Sequence, residues 1–298
     1  MLHWRKVVRL DAGTTSRLNK IRFVSNSVCV IAGGVRYDRS DIVRSDDGGY
    51  TWTDFSSPES PKELSGITVA PDGKIYLSGI DGSTFSSIDQ GKTWQFKRIY
   101  DWRFYNAICF PVNDTGIVIN SMALDTCHIT QIDTNCNIID QQTYRFALSD
   151  IYMTSPSTGY LIGYGVVMKT TDYRRTWVYQ NVNKDQFTAM DIHGEEIWMC
   201  GSNGGIYHTI NGGGNWEQLR NGNDLTKTQY HLCSIVFKDK MNGWAAGEEG
   251  KVIYTDDAGK HWSEYDHFTD NDIRSMVLCP NGDLLVAGDN GTLFRITP

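Results

Sequence analysis

Carboxylate side chains recur at regular intervals along this sequence, each inside a copy of one eight-residue motif. The motif has Ser or Thr first, an acid or amide third and Trp eighth; five copies follow it, and a sixth, QIDTNCNI, has lost the Trp. The third-position residues are Asp47, Asp89, Asp133, Asp172, Asn211 and Asp257. Such oxygen atoms can bind a metal ion, or they can accept hydrogen bonds from N–H groups of their own turn. One active centre needs different groups that converge on one point, so the similar copies favour a structural role, and we predict no metal site.

The backbone of the motif is also predicted from its residues. Glycine at the fifth position suits a left-handed turn because it has no Cβ. Four copies have it there, at Gly49, Gly91, Gly213 and Gly259. Asn135 tolerates the same conformation, whereas Arg174 suits it poorly, so we expect that turn to be distorted. The Trp that follows begins a strand and is expected to cover the apolar surface of its own sheet.

No other pattern indicates catalysis or a cofactor. The chain has no Gly-x-Ser-x-Gly, His-Glu-x-x-His or phosphate-binding Gly-Lys-Ser/Thr segment, and its seven histidines are scattered. Five of the seven cysteines lie in apolar strand-like runs, where they behave as small hydrophobes: Cys29, Cys109, Cys200, Cys233 and Cys279. Cys127 and Cys136 lie nearer to loops, where they either form a disulfide or stay free. We expect no cofactor.

The spacing of the motif indicates how many repeats the chain holds. Its eighth position recurs on average every 43 residues from Trp4 to Trp262, so 298 residues contain about seven repeats. A repeat reads as four short strands, for example HLCSIVF, WAAG, KVIYT and HWSEY, with the motif between the third and the fourth. The fold class is therefore all-β: a seven-bladed β-propeller of four-stranded antiparallel blades, as one domain over residues 1–298. We call the strands of a blade a to d, in chain order.

The two ends of the chain are predicted to meet in one blade. After Trp262 there is room for only three more inner strands, and residues 4–10 (WRKVVRL) read as the missing outer strand. We therefore expect the N-terminal strand to complete the last blade, because closure removes open sheet edges that would invite aggregation.

Loop insertions mark one end of the predicted blades. Four b–c turns are short Gly-x-x-Gly connections, at residues 79–82, 201–204, 247–250 and 288–291. Longer connections occur at residues 35–39, 122–127 and 221–229. The order of the strands puts all three on the face opposite the acidic motif, and insertions gathered on one face often mark a binding side.

Aromatic and arginine side chains collect on that same face. Trp, Tyr and Arg are enriched at the hot spots of interfaces, so we predict that this face contacts a partner. The residues concerned are Arg36, Tyr37, Arg39, Trp102, Arg103, Tyr105, Arg145, Tyr164, Tyr230, His231 and Glu248. The alternative is that part of this set fills the central channel or is solvated.

The repeat resembles a known one. Its motif is similar to the Asp-box, also called the bacterial neuraminidase repeat. Residues 237–262, FKDKMNGWAAGEEGKVIYTDDAGKHW, resemble a full repeat of the photosystem II stability/assembly factor family, and residues 153–177 do so more loosely. The resemblance implies a seven-bladed propeller that acts as a non-catalytic binding, scaffold or assembly factor and engages a protein or a glycan.

A glycoside hydrolase is the second hypothesis, because sialidases and xyloglucanases also carry Asp-boxes. The C-terminal FRITP resembles the sialidase Phe/Tyr-Arg-Ile-Pro segment, but Thr297 interrupts it and Arg295 falls at an ordinary repeat position. The equivalent residues are Arg44, Ser86, Thr130, Lys169, His208 and Tyr254, a generic polar strand position. Xyloglucanase-like enzymes place catalytic aspartates between two propellers, and one propeller is predicted here. Two carboxylates roughly 5–9 Å apart beside arginines at the channel mouth would favour hydrolysis.

Charge and hydropathy limit the remaining partners. The formal net charge of −7 disfavours a grip on nucleic-acid phosphates. No apolar run is long enough to span a bilayer, so we expect no membrane insertion. Residues 1–10 lack the apolar stretch of a signal peptide; a periplasmic or extracellular location follows if a leader was removed upstream, and a cytoplasmic one otherwise. We expect a monomer.

Overall fold

Seven blades surround a central channel in the computed structural model, which describes residues 6–56, 62–100, 102–123, 126–182, 185–224 and 229–297. Each blade is a four-stranded antiparallel sheet. In blades 1 to 6 four consecutive strands pair in chain order, and strand a lines the channel. The fold class predicted from the sequence is therefore confirmed.

The strands are numbered in chain order. Blade 1 consists of β2 (Arg17–Phe23), β3 (Cys29–Val35), β4 (Arg39–Ser45) and β5 (Thr53–Asp54). Blade 2 consists of β6 (Leu64–Val69), β7 (Ile75–Gly79), β8 (Ser83–Ser87) and β9 (Gln95–Arg98). Blade 3 consists of β10 (Tyr105–Cys109), β11 (Thr115–Ala123), β12 (Thr126–Asp133) and β13 (Ile138–Tyr144). Blade 4 consists of β14 (Leu148–Met153), β15 (Gly159–Gly163), β16 (Val166–Thr170) and β17 (Val178–Tyr179).

The remaining blades follow the same order. Blade 5 consists of β18 (Phe187–His193), β19 (Glu196–Gly201), β20 (Ile206–Thr209) and β21 (Glu217–Arg220). Blade 6 consists of β22 (Leu232–Phe237), β23 (Gly243–Gly247), β24 (Val252–Thr255) and β25 (Ser263–Glu264). Three b–c turns are short 3-10 turns, at Ile80–Gly82, Glu248–Gly250 and Asp289–Gly291. Within the described ranges, no helix is long and apolar enough to cross a membrane.

Blade 7 joins the two ends of the chain. It consists of β26 (Ile273–Leu278), β27 (Leu284–Gly288), β28 (Leu293–Thr297) and β1 (Lys6–Arg9), with β1 antiparallel to β28. Just after β1, the N–H of Leu10 donates to the carbonyl of Leu293 at 2.8 Å. The predicted closure by the N-terminal strand is confirmed for β1; Trp4, where the prediction began, lies outside the described residues.

The hydrophobic core is divided among the boundaries between neighbouring blades. Each of the seven clusters of buried residues found in the described chain combines two adjacent blades, because a blade presents an apolar face to either side. Trp94 packs into the cluster that joins Val30 of blade 1 to Leu77 of blade 2, and Trp52 into the one between blades 7 and 1. These Trp side chains therefore tie a blade to the preceding one, rather than covering only their own sheet.

Basic side chains on strand c also link successive blades. In three blades, such a side chain donates to the carbonyl at the fourth position of the next Asp-box. The contacts run from Arg44 to Gln90 at 2.7 Å, from Lys169 to Gly212 at 2.7 Å and from Arg295 to Gly48 at 3.0 Å. Arg295 is buried and also lies 2.7 Å from Asp283. The prediction that this is a generic polar position is therefore wrong, because in these three blades its side chain binds one blade to the next.

Every strand a carries a β-bulge near its start, and the bulged residues ring one end of the channel. In four blades the bulged side chain donates to a backbone carbonyl of the next blade. These contacts run from Asn19 to Leu64 (2.7 Å), Ser65 to Tyr105 (2.5 Å), Asn106 to Leu148 (2.8 Å) and Thr188 to Leu232 (2.6 Å). The ring holds the inner strands in register around the opening.

The cysteines are free thiols. Cys127 is buried within β12 and Cys136 is buried in the turn that precedes β13, so the structure contradicts a disulfide between them.

Candidate functional site

The Asp-box turns hold their acceptor residues by local hydrogen bonds. Asp47 accepts from the N–H groups of Tyr50 and Thr51, both at 2.9 Å, and from the Ser45 hydroxyl at 2.8 Å. Burial acts to raise the pKa of Asp47, but these hydrogen bonds lower it to about 2. In the other five copies the acceptor also binds the N–H of the seventh residue, at 2.8 to 3.0 Å. This geometry supports the structural role predicted for the motif.

Two predictions about the backbone of these turns are wrong. Arg174 adopts a φ of +70° and its N–H still donates to the Thr170 hydroxyl at 3.2 Å, so that turn keeps the common geometry. In the degenerate copy, the left-handed residue is Cys136, at +58°, rather than Asn135. The local hydrogen bonds to the acceptor residue outweigh the cost of a Cβ in the left-handed region, which is about 1–2 kcal/mol.

The Asp-boxes and the b–c turns lie at opposite ends of the propeller. Within blade 1 the Asp-box contacts the a–b turn, where the N–H of Gly48 donates to Ser27 at 2.7 Å. The b–c turns contact the d–a links, for example from the N–H of Gly82 to the carbonyl of Arg103 at 2.8 Å. We call the end with the b–c turns the mouth face and the other end the Asp-box face.

A cavity of about 800 Å³ occupies the channel at the mouth face. Arg17 lies between two acids, 3.3 Å from Glu63 and 3.0 Å from Asp289. Arg274 lies 2.8 Å from Asp289 and 3.0 Å from Asp272. A chain of ion pairs therefore joins blades 1, 2 and 7 along the rim of this mouth cavity.

These ion pairs favour the charged form of Asp289. Burial acts to raise the pKa of Asp289, but the hydrogen bond and charge of Arg274, together with Arg17, lower it. The same hydrogen bond raises the pKa of Arg274. Arg17 and Arg274 were missed from the sequence, although each lies next to the first buried residue of a strand a. An alignment of the seven inner strands would have shown them as charged residues facing the channel.

One side of the mouth combines cations with aromatic rings. The ring of Tyr37 packs edge-on against Phe104 at 6.1 Å between centroids, and Arg36 and Lys62 lie 5.5 and 5.4 Å from its centroid. Arg103 lies nearby along the chain, 4.0 Å from the centroid of the Tyr100 ring. We call Arg36, Tyr37, Lys62, Arg103 and Phe104 the basic–aromatic lip. The Tyr37 ring is held in place by Phe104 and by two cations, so it can meet a partner with little loss of rotamer freedom.

Five other predicted contact residues also lie around the mouth. They are Trp102, Arg145, Tyr164, His231 and Glu248, of which Trp102 is 78% and Tyr164 56% exposed. The backbone N–H of Trp102 donates to Asp81 at 2.8 Å, which anchors the base of this exposed side chain. His231 lies 3.2 Å from Glu248.

Two predicted contact residues are buried instead. Tyr105 is 1% exposed, because it occupies the first position of strand a. The same position is buried in the two neighbouring blades, where it is Leu64 and Leu148. Tyr230 is 7% exposed, with Arg220 5.0 Å and Lys251 5.4 Å from its ring centroid. Arg39 remains partly exposed but its guanidinium group pairs with the buried carboxylate of Asp41.

The predicted insertions contain fewer irregular residues than the sequence suggested, because strands extend into them. Residues 35–39 form a tight turn in which Val35 pairs with Arg39. Residues 122–127 lie largely in β11 and β12, which extend until Ala123 pairs with Thr126; residues 124–125 lie outside the described residues. Of residues 221–229, residues 225–228 also lie outside them.

A second cavity, of about 670 Å³, occupies the channel towards the Asp-box face. At the boundary between the two cavities, Lys20 of blade 1 lies 2.8 Å from Asp150 of blade 4. The hydroxyl of Tyr152 donates to the same Asp150 oxygen at 3.0 Å. Lys20 lines both cavities, so this ion pair crosses the channel between them. We call the second space the lower cavity.

The electrostatics at Asp289 differ from those that the general acid of a glycosidase needs. Glu63 and Asp289 do share an arginine, which is one part of the arrangement expected to favour hydrolysis. A general acid, however, needs a raised pKa, and the pKa of Asp289 is lowered. Among the described carboxyl groups, burial raises the pKa of Asp185, below a b–c turn of blade 5, and of Asp191, in the lower cavity. In the same ranges no group of three or more metal-ligating side chains could hold an ion.

Comparison with known proteins agrees with the resemblance seen in the repeats. The family described as "Photosynthesis system II assembly factor YCF48" matches residues 133–227. A curated relative, "Photosystem II assembly lipoprotein Ycf48" of Synechococcus sp. (strain CC9902), is 24% identical over 193 residues. That match covers 61% of this chain and 57% of the relative, so little more than half of the relative's length is represented.

Several solved structures share the fold. "YCF48 bound to D1 peptide" has a TM-score of 0.74 at 14% identity, covering 99% of this chain and 95% of that one. "YCF48 from Cyanidioschyzon merolae" has a TM-score of 0.72 at 16% identity, with coverage of 98% and 99%. The WD40 β-propeller domain of Doa1 has a TM-score of 0.71 at 12% identity, with coverage of 98% and 97%. The chain is thus a β-propeller that resembles photosystem II assembly factors in its repeat and its fold.

Proposed function

We propose that this propeller is a non-catalytic scaffold or assembly-type factor that binds a protein partner through its mouth face. The observation that carries the proposal is the basic–aromatic lip beside a cavity of about 800 Å³. Aromatic and guanidinium groups combine apolar contact with directed hydrogen bonds, which suits them to anchor a protein segment. A propeller of similar fold has been solved with a D1 peptide, and the curated relative is named an assembly lipoprotein; both support a protein as the partner.

The electrostatics of the mouth support binding rather than catalysis. Arg17, Arg274 and Asp289 form ion pairs with one another or with neighbouring acids. None of the three is therefore an unpaired group that could transfer a proton. A surface of satisfied ion pairs can still order a partner by complementary charge. Hydrolysis of a glycan would need a carboxyl group with a raised pKa beside the arginines of the mouth, and neither of the two such groups described lines the mouth cavity.

The proposed contact surface is the exposed rim of the mouth. It consists of Arg36, Tyr37, Trp102, Arg103, Arg145, Tyr164, His231 and Glu248, together with Lys62 and Phe104 of the basic–aromatic lip. We further propose that the protein works as a monomer without membrane insertion, since the ring uses its own N-terminal strand to cover the edge of β28.

The test is capture of the partner by a rim variant. Changing Tyr37, Trp102 and Arg103 together to Ala should weaken capture from the native cell at least about tenfold, which corresponds to about 1.4 kcal/mol. The melting temperature should hardly change, because Tyr37 and Trp102 are largely exposed. Binding is measured by calorimetry once mass spectrometry has identified the captured protein.

The matched control changes exposed residues of the same kinds on the other face. Tyr173, Arg175 and Ile210 belong to Asp-boxes and are exposed, so their replacement by Ala should leave capture intact. Loss of capture in this control, with retention in the rim variant, would transfer the binding site to the Asp-box face. Capture of a glycan that is then cleaved would favour the hydrolase hypothesis.

A further inference from the structure

The charges in the lower cavity are separated onto opposite walls. The charged residues that line it, among those described, are Lys20, Arg22, Asp150 and Asp191. Both cations belong to β2 of blade 1, while Asp150 lies on β14 of blade 4 and Asp191 on β18 of blade 5. In a ring of seven blades, blades 4 and 5 lie across the channel from blade 1. The remaining lining is uncharged, for example Thr68, Ser234 and Ser275.

One pair of these charges is neutralised within the protein and the other is not. Lys20 lies 2.8 Å from Asp150, whose carboxylate also receives the Tyr152 hydroxyl. Arg22 is exposed to the cavity, and within the described ranges its guanidinium group forms no ion pair or hydrogen bond. It belongs to the same strand as Lys20 and is two residues away, so both side chains leave β2 on the channel side. Among the described residues, Arg22 is therefore a cation without an ion-pair partner on the wall below the Lys20–Asp150 pair.

Asp191 carries the opposite charge, and neighbouring groups compensate its carboxylate only in part. It accepts the N–H of Phe237 at 2.6 Å, and His193 lies 3.3 Å away. Burial raises the pKa of Asp191 in spite of these partners. Burial of the carboxyl group therefore outweighs these partners, and 22% of the Asp191 side chain remains accessible.

We propose that the lower cavity binds a small zwitterion whose carboxylate lies on Arg22 and whose ammonium group lies on Asp191. An extended molecule with a charge at each end, such as an ω-amino acid, fits two charges that face each other across a channel. The volume of about 670 Å³ lies within the usual range of small-molecule sites, which is roughly 300–1,000 Å³. A guanidinium group binds a carboxylate through two parallel hydrogen bonds, so Arg22 would orient the ligand as well as attract it. This inference goes beyond the proposed function and does not depend on it, because the site lies on the other side of the Lys20–Asp150 pair.

The distance between Arg22 and Asp191 can be measured with ω-amino acids of increasing chain length. We would titrate the protein by calorimetry with 3-aminopropanoate, 4-aminobutanoate, 5-aminopentanoate and 6-aminohexanoate. The expected result is saturable binding with an optimum at one chain length. Pentanoate and pentylamine, which carry one charge each, should bind at least about tenfold more weakly than the best zwitterion.

Variants at each wall assign the two ends of the ligand. Arg22→Gln should weaken binding at least about tenfold without a change in melting temperature, because the guanidinium group has no partner to lose within the described chain. Arg22→Lys keeps the charge and should restore part of the affinity. Asp191→Asn retains an acceptor for the N–H of Phe237 and should weaken the zwitterions while leaving pentanoate unchanged.

The control lies in the mouth cavity. Arg36→Gln alters a cation that lines only the upper space, so it should leave zwitterion binding unchanged. The proposal is overturned if no member of the series binds, if singly charged probes bind as tightly, or if Arg22→Gln binds like the unaltered protein. None of these outcomes bears on partner capture, which separates a failure here from a failure of the proposed function.

Discussion

Single side chains in this propeller act chiefly by holding backbone in place. The acceptor of each Asp-box binds N–H groups of its own turn, and strand-c cations reach the Asp-box of the next blade. Both devices supply partners to backbone groups at the ends of strands, where the sheet no longer does so. The charged residues of the channel are a different population, since they face a cavity and contact other side chains.

At the scale of the residue, we expect Asp257→Ala to lower stability without affecting binding. Asp257 accepts the N–H of His261 and the Thr255 hydroxyl, both at 2.9 Å, and these hydrogen bonds lower its pKa to about 2. Their loss should cost about 1 kcal/mol, because the turn is partly exposed and water replaces some of the bonds. Chemical denaturation measures the cost, and calorimetry with the partner checks binding. Unchanged stability with abolished binding would mean that the Asp-box is the functional site.

The strands show why one position repeats as glycine. The last residue of strand b is Gly79, Gly163, Gly201, Gly247 or Gly288 in five blades, and in blade 1 Gly33 takes the equivalent place. A Cβ at Gly247 would lie 1.7 Å from the carbonyl oxygen of His231. Its φ of −172° is extended backbone, so the requirement is close approach of two strands rather than a special conformation. Blade 3 has Asn120 there, and its hairpin is the one that extends furthest.

At the scale of the element, Gly247→Ala should destabilise the protein by about 3 kcal/mol, the upper end of the usual cost of overpacking. The reason is the clash with backbone, which cannot move away as a flexible side chain would. Thermal and chemical denaturation would measure the change.

Gly194→Ala is the matched control for that substitution. Gly194 has a φ of +70° and open space around its missing Cβ, so only the left-handed conformation is penalised, by about 1 kcal/mol. Equal effects of the two substitutions would contradict a steric role for Gly247.

The whole molecule is held together as a ring of seven boundaries, each with its own core cluster. Strand β1 and the residue after it take part in two of the contacts that complete the ring. Val7 packs against the cluster between blades 6 and 7, and Leu10 against the one between blades 7 and 1. Since each boundary depends on both of its blades, the loss of one strand weakens two boundaries at once.

At the scale of the molecule, deletion of residues 1–10 should lower the melting temperature by several degrees and promote self-association. The deletion exposes the edge of β28, whose unpaired backbone groups can bind another chain. Scanning calorimetry and light scattering measure the two effects. A synthetic peptide of residues 1–10 added in trans should reverse them, and a deletion variant that melts like the intact protein would refute the closing role of β1.

The number of blades, the order of their strands and the closure by β1 could be predicted from the sequence alone. These features depend on contacts within a repeat of about 43 residues, and the same sequence pattern occurs in every repeat. A degenerate copy, such as the one that contains Asp133, therefore does not obscure the pattern. The acceptor role of the Asp-box residues was predictable for the same reason, since each acceptor and its donors are at most four residues apart.

The contacts among the side chains of the channel depend on the tertiary structure. Arg17 meets Asp289 across 272 positions of sequence, and Lys20 meets Asp150 across 130, so no local pattern connects either pair. The burial of Tyr105 and Tyr230, which the sequence placed on the contact surface, also depends on neighbouring blades. A repeat specifies its own sheet, whereas a side chain that points into the channel or across a blade boundary takes its environment from residues of other repeats. Only the closed ring brings those residues together.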